Sequence, residues 1–322
     1  MKKILIVGAG GQIGSELVPH LRSIYGNNNV VAADISAEKC KALAEAGPFE
    51  ELNALDGEGF SAIVKKYNID TIFNLVALLS ATGEKNPKLA WDINIGALTN
   101  SLYIAKDNNC AVFTPSSIGA FGNDTPKDKT PQDTLQRSNT TIYGVCKVTG
   151  ELLSDYYFNR FGVDTRSVRF PGLISYVTLP GGGTTDYAVE IYYDAIRKGS
   201  FTCNVKEGTY MDMMYMPDAL NAVVQLMEAD PSKLKDRNSF NIASMSCEPE
   251  QIAAEIRKHL PDFKMDYQID PVKQAIANSW PNSMDDTCAR EEWGWAPKFD
   301  LTSMTNDMLI KVKEKFDKGL IK

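Results

Sequence analysis

The chain has 322 residues, 43% of them apolar and 23% charged, and its 34 basic against 41 acidic side chains leave a net charge of −7. That is an ordinary globular composition with room for about two domains. The acidic balance, with no Lys/Arg run of five or more, excludes an electrostatic nucleic-acid footprint, and no apolar stretch approaches the roughly 18 residues of a membrane span.

The first apolar run, Ile4–Val7, is four residues long before glycines end it. It is too short for the core of a signal peptide and reads as the end of a first strand, Lys3–Val7. Val30–Asp34, Thr71–Leu75, Cys110–Pro115 and Thr165–Arg169 are further predicted strands. Between them Gly14–Tyr25, Ala37–Ala46, Gly59–Tyr67 and Lys88–Lys106 carry apolar residues at helical spacing. This alternation predicts an α/β fold, a Rossmann-type doubly wound parallel sheet with helices on both faces. Asn123–Thr141 is a polar loop whose length points to function. Beyond Pro171 the alternation loosens around Gly181-Gly182-Gly183, with helices near Thr185–Arg197 and Glu248–His259. The expected organisation is a nucleotide-binding domain over 1–170 and a smaller C-terminal α/β substrate-binding region over 171–322, the chain interleaving between the two.

Cys40, Cys110, Cys146, Cys203, Cys247 and Cys288 are never closer than 36 residues, so metal-binding Cys pairs are absent. Scattered thiols in a chain of this size fit a reducing, cytoplasmic setting. The two histidines, His20 and His259, read as helix-surface residues. No metal is expected, and acid–base chemistry must rest on other residue types.

Gly8-Ala9-Gly10-Gly11-Gln12-Ile13-Gly14 directly follows the first strand and opens a helix. Small residues there let backbone approach a pyrophosphate, and the helix N-terminus offers unpaired N–H groups. Asp34 ends the second strand twenty residues past Gly14. A carboxylate at that point accepts from an adenosine ribose and repels a 2′-phosphate. The cofactor expected is NAD rather than NADP.

Tyr143 and Lys147 stand at i and i+4 on a predicted helix and share a face. Twenty-six residues before Tyr143, Ser116-Ser117 ends the fifth strand, where parallel sheets build their sites. A free phenol ionises near about pH 10. A phenol acting as base at neutral pH therefore needs cations beside it, and Lys147 and a charged nicotinamide are such cations. Ser117 or Ser116 would hydrogen-bond the reacting oxygen.

The glycine spacing and the Ser/Tyr/Lys set resemble the short-chain dehydrogenase/reductases. Over essentially the whole chain the resemblance is to the extended, nucleotide-sugar epimerase-like branch, and within it to the L-threonine 3-dehydrogenases. Pro115–Gly122, Ser167–Ser175, Leu179–Ala188, Met213–Asp218 and Ile276–Ser283 carry that likeness. Ser117 stands where Thr is frequent, and Asn282 where Asp is common. The resemblance implies NAD contacts from Gly8, Gly11, Gln12, Ile13, Gly14, Asp34, Asp56, Leu75, Ala77, Tyr143, Lys147, Pro171 and Leu173. Asn94 would support Lys147 through water. It implies oxidation of L-threonine in a pocket drawing on Ser80, Ser117, Tyr143, Thr185 and Trp280. It also implies a homodimer in which helices around Lys88–Lys106 and Tyr143–Phe161 form a four-helix bundle, with Leu89, Ile93, Leu102, Val148, Leu152 and Tyr156 as candidate contacts. Each of those positions could equally face its own sheet.

From the residues alone, Gly181–Thr185 offers N–H groups to a carboxylate, and Arg290 and Asp285 form a structural ion pair rather than ligands. The runner-up is a nucleotide-sugar epimerase or dehydratase. It must neutralise a diphosphate, yet Pro171–Ile196 has no Lys or Arg, leaving Arg197, Lys206 or Arg290 to reach in. A non-catalytic NAD-binding regulatory protein is the third reading, and the presence of both Tyr143 and Lys147 argues against it.

Overall fold

Four consecutive buried aliphatic residues make strand β1 (Ile4–Val7) the centre of the molecule, hydrogen-bonded on both sides. The computed structural model describes residues 1–134 and 140–321, so 135–139 of the expected Asn123–Thr141 loop lie outside the described residues. After β1 come α1 (Gly14–Tyr25), β2 (Val30–Asp34), α2 (Lys41–Ala46), β3 (Phe49–Glu51), α3 (Gly57–Tyr67), β4 (Thr71–Asn74), α4 (Ser80–Gly83) and α5 (Pro87–Asn108). Next are β5 (Ala111–Phe113), β6 (Ser116–Ser117), α6 (Ile142–Phe161), β7 (Thr165–Arg166), β8 (Val168–Phe170) and β9 (Gly172–Ile174).

The main sheet runs β3-β2-β1-β4-β5-β7, parallel throughout, with Ile4 opposite Val30 on one side and Thr71 on the other. Successive side chains of a strand point to opposite faces. Ile4 and Ile6 therefore pack with Leu17, Val18 and Leu21 of α1. Leu5 and Val7 pack with Phe60 and Val64 of α3 and Leu98 and Leu102 of α5. Burial on both faces is why these strands read as unbroken apolar runs. The strand order reverses between β1 and β4, which is the crevice where such sheets hold ligands.

The remaining chain adds α7 (Tyr187–Lys198), β10 (Ser200–Cys203), β11 (Met211–Tyr215), α8 (Met216–Glu228), β12 (Phe240–Asn241), β13 (Met245–Cys247), α9 (Pro249–His259), β14 (Lys264–Tyr267), α10 (Pro271–Ser279), α11 (Thr287–Trp293) and α12 (Leu301–Asp317). Helices α7, α9 and α12 enclose a second core with Met211, Met213 and Tyr215 of β11. That core also takes Ile118 and Phe121 from the first half, while Ala219, Val223 and Trp295 from the second half join the α1 side of the main sheet.

Two expectations need correction, and one strand was not foreseen. The predicted strand Thr165–Arg169 is two strands, because Ser167 turns its N–H to Arg237 and its hydroxyl to the Ser116 N–H, and β8 then pairs with β6 and β12. Strand β3 was not predicted; it is three residues long and ends on two acids. Leu102 is fully buried against its own sheet and offers nothing to a second chain. Five cysteines are buried, Cys288 is half-buried, and all six are free thiols. No helix among the described residues is long and apolar enough to cross a membrane.

Candidate active site

The loop after β1 is shaped by what a side chain would strike. Gly8 has φ +86°, and a Cβ on Gly14 would lie 2.4 Å from the Gly8 carbonyl oxygen and 2.7 Å from the Ala9 Cα. The first turn of α1 thus presses directly on the loop, and its N-cap, Ile13, supplies no side-chain acceptor. The Gln12 Nε2 beside it is buried with no protein partner. A bare backbone cradle, an uncapped helix N-terminus and an orphaned donor together fit a bound pyrophosphate. Asp34 closes the loop from β2: Oδ2 accepts the Gly10 N–H at 2.8 Å and Oδ1 the Ser36 N–H at 3.0 Å.

Helix α6 begins where the Thr141 hydroxyl accepts the Gly144 N–H at 3.0 Å. That cap puts Tyr143 in the first turn and Lys147 one turn on. The Lys147 Nζ donates to the Pro115 carbonyl at 2.6 Å and lies 5.2 Å from the centre of the Tyr143 ring. The ring packs against Gly119, where a Cβ would meet it at 3.1 Å. The Ser117 Oγ accepts the Gly119 N–H at 3.1 Å. Its neighbour Ser116 donates instead to Glu151, which receives Arg169 Nε and Nη2 at 2.9 Å each. The two serines are thereby distinguished: Ser116 is tied into a buried ion pair. Sequence reasoning passed over Glu151, though Tyr143, Lys147 and Glu151 fall at i, i+4 and i+8 on one helix face.

Gly8, Gly11, Gln12, Ile13, Gly14, Leu75, Ala77, Ser80, Ser116, Ser117, Tyr143, Lys147, Pro171, Leu173, Thr185 and Trp280 all line one cavity of about 740 Å³. Asp34 sits behind its wall, against Gly10. Asp56 is exposed and caps α3 through the Gly59 N–H, at 3.0 Å. Asn94 grips the Leu78 backbone through both N–H (2.7 Å) and C=O (3.2 Å). It shares with Lys147, Thr114 and Glu151 a separate cavity of about 30 Å³, enough for water.

Elsewhere in the cavity the Ser80 and Thr184 hydroxyls are 3.1 Å apart, and Trp280 is only 5% exposed. The N–H groups expected to serve a carboxylate from Gly181–Thr185 are partly taken from within the chain, since those of Gly182 and Gly183 both donate to Asp186 Oδ2 at 2.9 Å. Burial holds the Asp186 carboxyl above its usual range. Arg290 pairs with Asp286 at 2.7 Å rather than with Asp285, which accepts from Thr287. Arg197, Lys206 and Arg290 are absent from the cavity lining; its basic side chains among the described residues are Lys39 and Lys147.

The family model described as the NAD dependent epimerase/dehydratase family matches residues 4–243. The chain belongs to that family. NAD is its cofactor, in keeping with the cradle at Gly8–Gly14. An uncharacterized epimerase/dehydratase of Staphylococcus haemolyticus is 58% identical over 315 residues, 98% of this chain and 99% of that protein. Among solved structures, an L-threonine dehydrogenase from Clostridium difficile is 56% identical with a TM-score of 0.95, covering 98% of each chain. A monomeric L-threonine 3-dehydrogenase from a metagenome is 43% identical with a TM-score of 0.93, over 97% of this chain and 99% of that one.

Proposed function

We propose that this epimerase/dehydratase-family chain is an NAD-dependent L-threonine 3-dehydrogenase, oxidising L-threonine to 2-amino-3-oxobutanoate with formation of NADH. The observation that carries this reading is the shared cavity. The glycine loop, Tyr143, Lys147 and Ser117 line it together with Ser80, Thr185 and Trp280, with no arginine among its described lining. NAD held by the glycine loop would supply the acceptor for the hydride leaving the substrate β-carbon. Tyr143 takes the hydroxyl proton as general base. Lys147, fixed by the Pro115 carbonyl beside the Tyr143 ring, would place its ammonium next to the base and hold the nicotinamide ribose. Ser117 donates to the reacting oxygen as it becomes carbonyl-like, and Ser116 supports it from behind through Glu151. Trp280 excludes water. Gly8, Gly11, Gln12, Ile13, Gly14, Leu75, Ala77, Pro171 and Leu173 would hold the cofactor, with Asp34 available to its adenosine ribose, Asp56 to its adenine, and Asn94 to Lys147 through water.

The free thiols fit a cytoplasmic enzyme of threonine catabolism. Exposed Leu89, Leu152 and Tyr156 on α5 and α6 support a homodimer through a four-helix bundle. The test is NADH formation from L-threonine, L-serine, L-allo-threonine and UDP-sugars under identical conditions. L-Threonine should react best. L-Serine should be about 10- to 200-fold less efficient for want of a methyl group. Epimerisation of UDP-galactose without NADH from threonine would make the chain a nucleotide-sugar epimerase instead.

A further inference from the structure

Asp186 is the one acidic side chain among the described residues lining the 740 Å³ cavity. The cationic groups there, Lys39 and Lys147, would repel a second positive charge. A zwitterionic amino acid entering this cavity brings an ammonium group that loses water. Such a group is held only if an anion meets it. Asp186 is 8% exposed and sits at the end of the loop whose Gly182–Thr184 stretch is held to α4, through Ser80 to Thr184 and Thr82 to the Gly182 carbonyl at 3.4 Å. Its Oδ2 is fixed by two N–H groups at 2.9 Å. A carboxylate has about four acceptor sites, so two such bonds orient it and leave capacity for another donor. Lys273 attracts it and Glu190 repels it, and burial still outweighs the attraction. A buried carboxylate in that condition gains from an added cation.

We propose that Asp186 is the counter-ion of the substrate's α-ammonium group, and hence the residue by which the cavity selects an amino acid over the corresponding hydroxy acid. The inference rests on the dehydrogenase reading and assigns the end of the substrate that reading left without a partner. It gives the carboxylate two functions, shaping the loop through Gly182 and Gly183 and presenting a charge to the ligand.

The test compares L-threonine with 3-hydroxybutanoate, which keeps the hydroxyl, methyl and carboxylate and lacks only the ammonium, using NAD-loaded wild-type protein, Asp186→Asn and Asp186→Glu. Asn keeps an acceptor for the two glycine N–H groups and removes the charge. In Asp186→Asn the KM for L-threonine should rise about 10- to 100-fold, with a smaller change in kcat. Efficiency on 3-hydroxybutanoate should hold or improve, NAD affinity measured by fluorescence should be unchanged, and Asp186→Glu should recover part of the preference. Equal losses on both substrates, or an unchanged preference, would make Asp186 a loop staple and overturn the inference. Should Asp186→Asn fail to fold, inhibition of the wild type decides. L-2-Aminobutyrate should compete with threonine at least about 10-fold better than butanoate, and equal inhibition overturns the inference. Wild-type protein that makes no NADH from L-threonine removes the dehydrogenase reading and this inference together. Threonine turnover with unaltered selectivity in the variant removes this inference alone.

Discussion

Glu151 and Arg169 meet as a bidentate ion pair, both N···O distances 2.9 Å, with the two residues 5% and 2% exposed. The pair ties α6, which carries Tyr143 and Lys147, to β8. Through the Ser116 hydroxyl it also reaches β6. Breaking a buried pair leaves one charge without a partner, which costs about 3–5 kcal/mol. Glu151→Gln should lower the urea midpoint accordingly and reduce turnover, because Ser117 and the Pro115 carbonyl flank Ser116. Replacing both members with apolar residues of similar size should cost less than the single change. A Glu151→Gln midpoint equal to wild type would mean that the pair does not brace the sheet.

Tyr143→Phe keeps the ring on Gly119 and removes only the hydroxyl. Turnover should fall by orders of magnitude while NAD binding, followed by fluorescence, survives. Near wild-type turnover would rule out a phenol base. Lys147→Ala should lose activity and part of the cofactor affinity together.

Asp34→Ser should narrow the preference for NAD over NADP by about 1–3 kcal/mol, the worth of a charged hydrogen bond. Part of the effect will come from the freed Gly10 and Ser36 N–H groups. Paired Kd measurements for NAD and NADP decide it, and an unchanged ratio would put the adenosine elsewhere.

Burial raises two carboxyls, Glu16 beside Ser175 and Asp212 beside Met284, each to about 7. Their ordinary values are 4.5 and 3.8, so the folded chain holds protons that the unfolded chain releases. The stability they contribute is full at low pH and is lost as pH rises towards 7. Relative to wild type, Glu16→Gln should therefore gain Tm between pH 5 and 7.5, by roughly 2–4 °C. A constant difference across that window would show that Glu16 ionises normally.

Leu152 and Tyr156 are 63% and 54% exposed on α6, a large apolar area for a free helix face. Light scattering should give twice the chain mass, and Leu152→Lys should shift it towards one. A monomeric wild type would exclude the four-helix bundle.

The glycine loop and the alternating strands were legible because both depend on local rules. A β-branched run ending in aspartate gave β2, and Gly14–Tyr25 gave α1, to the residue, while β1 starts one residue later than expected, at Ile4. What stayed hidden was the choice among partners. Nothing in the sequence says that Asp186 takes the N–H groups of its own loop, that Arg290 prefers Asp286 to Asp285, or that the Ser116 hydroxyl is spent on Glu151 while that of Ser117 takes the Gly119 N–H. Those choices are settled by tertiary packing, as is the break at Ser167, where a strand changes neighbours. Glu151 was discoverable from its helical spacing, but only Arg169 opposite gives that spacing meaning.

The hold of Asp34 on Gly10 bears on how the cofactor arrives. The carboxylate is already fixed by two backbone donors, so if it takes the ribose as proposed, docking freezes little new rotamer motion, a saving of about 0.5–1.5 kcal/mol for such a side chain. In the proposed reading the loop and the acid assigned to the ribose are a single preassembled part. Asp34→Glu, which preserves charge but lengthens the reach, should therefore slow association with NAD as well as weaken it.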